Sequence, residues 1–383
     1  MKSKIAVIFG GRSLESDISV LTALEVLAVL SEGDYDIMPF YLCDGDFYTD
    51  GVDKLEAFTP FSKEKHRRTV LLNGGFYELK KDRLKRVFRP DAALVCCHGG
   101  EGENGVLQGL LEFNGIASTC SGVGACAVTM DKAMAKSMFE HMLFNVIQHK
   151  VVFTADFLRD PEGETLHAET GLRYPLIVKP ASQGSSIGIR VAENAVELRE
   201  ALEVAAEFDC KMLVEEKLCD FFEVNCAAFS KGDKIVVSAT ERPKGAGDIL
   251  TFEDKYMSGG KSGGDTHLIP ADIGELNEVV REDTERIYRE LGLRGIVRVD
   301  YLVDRARGKV YVNEVNTVPG SLAFYLFEPV GIGFYELVAA QIEEALSRRG
   351  EDNRARVFRT PVLEYYAGSF GGVKGSKRRQ PRK

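Results

Sequence analysis

The sequence predicts an α/β N-terminal domain built on a parallel sheet, followed by α+β domains. Three observations predict it. Strand-like and helix-like segments alternate over the first part of the chain, strands arrive in close succession after residue 150, and glycine turns fall where apolar strands end.

KIAVIFG (4–10) is an apolar strand. ESDISVLTALEVLAVLSE (15–32) follows as a helix, with Val20, Leu24 and Leu27 at i, i+4 and i+7. DIMPFYL (36–42) and VFRPDAALVCC (87–97) read as further strands and NGVLQGLLEF (104–113) as a helix, an order that implies a parallel sheet covered on both faces. Ligands of such sheets sit at the carboxyl ends of the strands, where GGRSLES (10–16) and HGGEGENG (98–105) lie. After 150 the segments KVVFTADF, PLIVKP, KMLVEEKL, FEVNCAAFS, KIVVSATE, GIVRVDYLVD and KVYVNEVN all read as strands. Helices interrupt them only at 195–208 and 275–293, which is α+β organisation with antiparallel hairpins. Residues 241–270 carry six glycines and little periodicity; within them 245–266 are expected to form a lid that is mobile without ligand.

Composition narrows the function. The chain has 383 residues, 44% hydrophobic and 28% charged, which is ordinary for a soluble globular protein of two or three domains. Its first apolar run is too short for a signal peptide, and nothing approaches the ~20 apolar residues of a membrane helix. Eight cysteines form no C-x-x-C pair, so neither zinc nor a disulfide framework is indicated and a cytoplasmic location is expected. A net charge of −9 argues against a general nucleic-acid binder. The last ten residues, KGSKRRQPRK, carry six basic groups and read as a solvated, disordered tail.

Two motifs mislead. GEGENG (100–105) is a literal G-x-G-x-x-G between a strand and a helix, but Glu101 and Glu103 within it would repel a pyrophosphate. GSSIG (184–188) is a G-x-S-x-G with Ser186 at the nucleophile position. A strand-like IRVAE follows it, where a nucleophile elbow needs a helix.

Three segments carry chemistry. In 295–320 two strands joined by a short basic turn form a hairpin, with Arg298 and Asp300 on one face of the first and Glu314 and Asn316 on one face of the second. If Asp300 lies opposite Glu314, two carboxylates and an amide converge as hard ligands suited to Mg²⁺. That pairing requires a three- or five-residue loop or a bulge, because a simple four-residue turn at 305–308 would put the two carboxylates on opposite faces. In 174–191 Lys179 ends an apolar strand before a Gly/Ser loop able to wrap phosphates with backbone N–H groups. In 211–224 a strand ending in paired acids suits an adenosine, although solvated strand ends look the same.

Together IAVIFGGRSLESDIS, HGGEGENGVLQGLLEFNGI, SGVGACAVTMDKAMAK, IVKPASQGSSIG, DKYMSGG and RVDYLV…VNEVNTVPG resemble the D-alanine–D-alanine ligase family of the ATP-grasp superfamily, from Lys4 to about residue 348. The resemblance implies a Rossmann-like domain at 1–121, a central ATP-grasp lobe at 122–218, a C-terminal lobe at 219–350 with the lid and metal site, and a tail at 351–383. It implies that Glu15 binds the amino group of the first D-alanine and that His98 lies near its carboxylate. Lys132 and Lys179 would contact ATP phosphates, with Ser185 and Ser186 of the loop and Lys255 also at the nucleotide. Glu215, Glu216, Leu218 and Glu223 would surround adenosine. Ser185 and Tyr256 would join Glu15 in latching the lid, and Asp300, Glu314 and Asn316 would hold two Mg²⁺ ions, with Mn²⁺ as a substitute. Arg298 and the Gly320 backbone would stabilise an oxyanion.

The implied reaction is ATP-dependent dipeptide formation through an acyl phosphate, supplying peptidoglycan precursors. The expected partners are ATP and D-alanine, with no nucleic acid and no membrane, and the expected assembly is a homodimer. After the Pro-Gly, relatives have a small, hydroxyl-rich stretch whose serine and leucine grip the second amino acid's carboxylate. This chain instead has SLAFYLFEP (321–329), leaving Ser321 and Tyr325 as the hydroxyls for that substrate. D-serine or another small amine is therefore the alternative acceptor, while Tyr256 argues against D-lactate. A nucleotide-binding protein without ligation is the rival of a different class, and the intact Arg298 argues against it.

Overall fold

The computed structural model describes residues 2–31, 33–184, 186–243, 267–348 and 361–370. The chain divides into two compact units, Met1–Leu346 and a unit from Ser347 onward in which a helix spans Val362–Phe370. The lid segment 245–266, with Lys255 and Tyr256, and also Ser185 lie outside the described residues.

Among the described residues three sheets organise the first unit. Strands β1 (Ser3–Gly10), β2 (Tyr35–Cys43), β3 (Asp46–Thr49), β4 (Arg67–Leu72), β5 (Gly75–Lys80), β6 (Arg83–Phe88), β7 (Ala92–Val95) and β8 (Ala117–Ser118) make the first, in the order β6-β5-β4-β3-β2-β1-β7-β8. Its β2-β1-β7-β8 part is parallel, as expected of the alternating segments. An antiparallel meander, β3 to β6, extends it to a mixed sheet. The signals for that meander were local: Asp44-Gly45 and Asn73-Gly74 both turn with positive φ, as two-residue hairpin loops need. The run 87–97 is accordingly not one strand. Val87 and Phe88 end antiparallel β6, and β7 begins only at Ala92, beyond Pro90, which has no N–H to give a ladder.

The second sheet is antiparallel, with order β11-β10-β12-β9: β9 (His149–Phe153), β10 (Leu176–Pro180), β11 (Arg190–Ala192) and β12 (Lys211–Glu216). The segment read as strand KVVFTADF stops at Phe153 and turns helical over Thr154–Arg159. A further helix, Pro161–Glu169, starts with Pro at its first turn and the Asp160 side chain accepting from Gly163 N–H. The third sheet, β15-β14-β13-β16-β17, is also antiparallel: β13 (Phe221–Lys231), β14 (Lys234–Pro243), β15 (His267–Leu268), β16 (Val297–Asp304) and β17 (Lys309–Asn316).

The hairpin of β16 and β17 has the register that the converging carboxylates demand. Arg298 pairs with Asn316 and Asp300 with Glu314, and a bulge beyond Asp300 lets Tyr301 pair with Val312. One extra residue on β17 thus keeps both acids on one face.

The first core is the one that positions the site. Ile5, Val7 and Phe9 of β1 and Ala92 and Leu94 of β7 share it with Leu322, Leu326, Leu337, Val338 and Ile342, all buried, from the chain's later part. Apolar burial at roughly 25 cal/mol per Å² therefore draws 318–326, just past the hairpin, onto the carboxyl edge of the first sheet.

Candidate active site

The first wall of the site is the edge of the first sheet. Glu15 precedes the helix Ser16–Leu30, and its carboxylate lies against the turn after β7. A Cβ at Gly99 would come within 2.6 Å of Glu15 Oε2 and of Ser13 Oγ, and Gly99 has φ +64°. Only glycine combines that backbone with such a close approach. A Cβ on Gly184 would in turn lie 3.4 Å from Glu15 Oε2, so Glu15 stands between the Gly99 turn and the Gly/Ser loop. A cavity of about 660 Å³ opens here, bordered by Glu15, Gly100, Asn104, Met130, Gln183 and Gly184.

His98 is buried and neutral in character, because burial lowers its pKa against the opposing pull of Val318 and Glu15. Its Nδ1–H donates to the Val318 carbonyl at 2.6 Å and Nε2 accepts from the Thr22 hydroxyl at 2.8 Å. Val318 can only accept, which sets the tautomer. With both nitrogens engaged, His98 has no N–H left to offer a carboxylate. Thr22 also receives the Ser321 N–H at 3.0 Å.

The two acids inside the glycine motif take different partners. Glu101 is held by Arg12, which donates from its backbone N–H at 3.0 Å and from its guanidinium at 3.0 and 3.2 Å. Glu103 is buried and bridges two segments: Oε2 accepts from Gly99 N–H and Oε1 from Val318 N–H, each at 2.7 Å. Burial and the charge of Glu15 push its carboxyl up to about 7, against those two hydrogen bonds and Arg298. His98 and Glu103 together thus hold the carbonyl and the N–H of Val318.

The second wall is cationic. Asp131 caps the helix Lys132–His141 by accepting from Ala133 and Met134 N–H at 3.0 Å. Lys132 donates to the Gln183 carbonyl at 2.6 Å and stands 3.5 Å from Glu314. One turn on, fully buried Lys136 contacts Glu215 Oε1 at 2.6 Å, while Lys179 at the end of β10 contacts Glu215 Oε2 at 2.5 Å. Burial alone would raise the Glu215 carboxyl, but the two lysines outweigh it and bring it to about 2. Two ammonium groups on one carboxylate leave a net positive charge facing the loop.

The third wall is the hairpin. Arg298 donates Nε–H to Asp300 Oδ1 at 2.6 Å and Nη2–H to Oδ2 at 2.8 Å; Asn316 donates to Oδ2 at 3.0 Å. Burial would lower the Arg298 pKa, yet Asp300, with Tyr325 and Glu241, raises it, so the guanidinium stays charged. Cross-strand pairing extends this row, since Asp300 also faces Asn225, and Asn225 faces Glu241.

The hairpin's Asp300, Glu314, Asn316 and Arg298 therefore come together, with Lys132 beside Glu314. Gly320 opens the turn Gly320–Leu326, in which Ser321, Leu322 and Ala323 all have φ near +50°. The backbone bonds of this turn to Thr22 and Pro319 hold it in that strained form. Both Glu215 oxygens are taken by lysines, because a buried carboxylate needs cationic partners. Glu216, its strand neighbour, points to the opposite face and pairs with Arg173 at 3.2 Å. Leu218 follows β12 in irregular backbone, Glu223 shares a face of β13 with Asn225, and Ser186 lies in the Gly/Ser loop with φ +59°. Sequence reading missed Lys136, Glu103, Asn225 and Glu241. Only Lys136 carried a signal, being four residues from Lys132 on one helix face.

Lysines set against oxygen donors beside a glycine-lined cavity answer the needs of phosphoryl transfer to a carboxylate, and this is the class of ATP-dependent, ATP-grasp-type ligases. Residues 4–121 match the family "D-ala D-ala ligase N-terminus" and residues 138–343 match "D-ala D-ala ligase C-terminus". A D-alanine–D-alanine ligase of Chloroherpeton thalassium is 35% identical over 375 residues, covering 91% of this chain and 98% of the relative. One of Thermosipho africanus is 33% identical, covering 92% and 96%. The chain belongs to the D-alanine–D-alanine ligase family. Among solved structures, the VanG D-Ala:D-Ser ligase of Enterococcus faecalis has a TM-score of 0.75 at 27% identity, covering 90% of this chain and 100% of that one. The D-alanine–D-alanine ligase of Coxiella burnetii, at 22% identity, shares the fold with a TM-score of 0.76, covering 97% and 99%.

Proposed function

We propose that this chain joins two D-alanine molecules at the expense of ATP, in the cytoplasm, for peptidoglycan precursor synthesis. The observation that carries the reading is the convergence of Arg298, Asp300, Glu314 and Asn316 beside Lys132, reached only through the hairpin bulge. The first D-alanine places its ammonium at Glu15. Its carboxylate oxygen attacks the γ-phosphorus of ATP, ADP leaves, and an acyl phosphate results. Lys132 and Lys179, the latter organised by Glu215 and Lys136, offset charge on the phosphoryl oxygens. The amine of the second molecule, once deprotonated, attacks the acyl carbon; a C–N bond forms and inorganic phosphate departs. Arg298 and the Gly320 N–H stabilise the oxyanion between these steps.

Asp300, Glu314 and Asn316 offer two carboxylates and an amide oxygen. Such a set suits Mg²⁺ or Mn²⁺, hard cations that take oxygen ligands. Bound there, the cation would neutralise the phosphates. His98 serves by position, holding Val318 and so the turn that begins at Gly320.

Hydroxylamine tests the activation step, because it captures an acyl phosphate as a hydroxamate without needing the second subsite. ATP, Mg²⁺, D-alanine and hydroxylamine should yield D-alanyl hydroxamate; its absence would sink the reading.

Glu103 adds a pH dependence. Both its oxygens accept N–H bonds, and protonation removes the charge that makes those bonds strong. The grip on Val318 is strongest when Glu103 is ionised. Wild-type kcat should therefore rise as pH passes upward through about 7. Glu103→Gln should lower kcat and remove that limb, and an unchanged profile in the variant would show that a different group titrates.

A further inference from the structure

The ligase reading leaves one charged feature of the sequence unused. The last ten residues, KGSKRRQPRK, hold six basic groups and no acid. Taking those six from the net charge of −9 leaves −15 on the rest of the chain, so the positive charge is gathered here. A basic cluster on an acidic protein selects an anionic partner.

The helix Val362–Phe370, just before this run, adds an apolar requirement. Its first turn closes with Tyr365 N–H donating to the Pro361 carbonyl at 2.9 Å. At about 100° per residue, Tyr365, Val362, Tyr366 and Leu363 follow one another around one arc, and Glu364 falls opposite it. All four side chains of the arc are exposed, Leu363 by 82% and Tyr365 by 77%. The helix Phe334–Arg348, by contrast, buries its Leu337, Val338 and Ile342. An exposed apolar face beside a run of cations marks an interaction surface.

We propose that the helix Val362–Phe370 and the basic residues after it bind the surface of an anionic lipid bilayer and hold the enzyme there peripherally. The helix lays its apolar arc into the boundary between headgroups and acyl chains, with the tyrosine hydroxyls among the headgroups. Lys377, Arg378, Arg379 and Arg382 meet the lipid phosphates. A bilayer presents hydrocarbon and anions in one surface. A single-stranded nucleic acid offers phosphates, and bases for the tyrosines, but leaves Val362 and Leu363 in water. Among the described residues no single helix is long and apolar enough to cross a membrane, and a surface contact requires none. A solvated tail without a membrane partner, as the sequence led us to expect, is the result that a failed test returns.

The test sediments the full-length protein with sucrose-loaded vesicles at low salt. One set is phosphatidylcholine alone, and the other carries about one-third phosphatidylglycerol. The anionic vesicles should retain at least about tenfold more protein. Raising the salt from about 0.05 M to 0.5 M should release most of it, because screening shortens the reach of the basic groups. Equal sedimentation with both sets, or none with either, overturns the proposal. Lys377→Gln, Arg378→Gln, Arg379→Gln and Arg382→Gln in one protein should weaken binding to anionic vesicles at least about tenfold. Leu363→Asp should do the same by placing a charge within the apolar arc. The fourfold variant leaves the helix sequence intact and so decides if Leu363→Asp unravels it. A folded variant that binds as wild type overturns the proposal, as does tighter binding to single-stranded RNA than to the anionic vesicles at the same salt. Both variants should still form hydroxamate at the wild-type rate, since the residues of the candidate active site belong to the unit Met1–Leu346. Vesicle binding and hydroxamate formation are thus read separately, and failure of one leaves the other standing.

Discussion

Glu215→Gln should destabilise the protein by about 3–5 kcal/mol, the range for breaking a buried ion pair by removing one partner. Lys136 is fully buried and Lys179 nearly so, and both bind this one carboxylate. Glutamine leaves two ammonium groups facing each other without an anion in a region that water does not reach. The natural glutamate also sets an acid limit. Its folded pKa of about 2 lies below the ordinary carboxylate value of 4.5, so its contribution to stability is present above about 4.5 and is lost as pH falls toward 2. Denaturant unfolding at neutral pH and across pH 2–5 measures both effects. A variant as stable as wild type, with the same acid midpoint, would mean that the lysines find another counter-charge. Because Lys179 is proposed to serve the phosphates, ATP should recover part of the lost stability through binding.

Arg298→Lys should lower kcat by about 10²–10³, the loss seen when one oxyanion donor is removed. Lysine keeps the charge but not the planar fork that makes two bonds to Asp300. It therefore cannot hold the carboxylate and still point a donor at the acyl oxygen. The KM for ATP should move by no more than about threefold, since the interaction lost forms in the transition state. A kcat within about threefold of wild type would remove Arg298 from the chemistry.

The sequence by itself determined the fold class and the hairpin. Alternating apolar positions assign faces to β16 and β17, and placing Asp300 and Glu314 on one face required a three- or five-residue loop or a bulge, of which the structure has the bulge. Lys179 and the Gly/Ser loop were legible because a strand end followed by glycines is a local pattern. The antiparallel meander was equally local, written in Asp44-Gly45 and Asn73-Gly74, and was passed over because period alone does not separate parallel from antiparallel strands.

Tertiary structure decided the rest. Nothing near Glu103 in the chain identifies its partner, for Val318 is 215 residues away and is brought there by the core that packs the chain's later part on the first sheet. The sequence shows the charge of Glu215 and not the two buried lysines that neutralise it. Glu241 and Tyr325, 84 residues apart, became a pair only when β14 and the turn after Gly320 met beside Arg298. The physical reason is common to all three. A strand's pattern tells which way a side chain points, but a buried charge is defined by its partner, and partners are chosen by packing between elements distant in the chain.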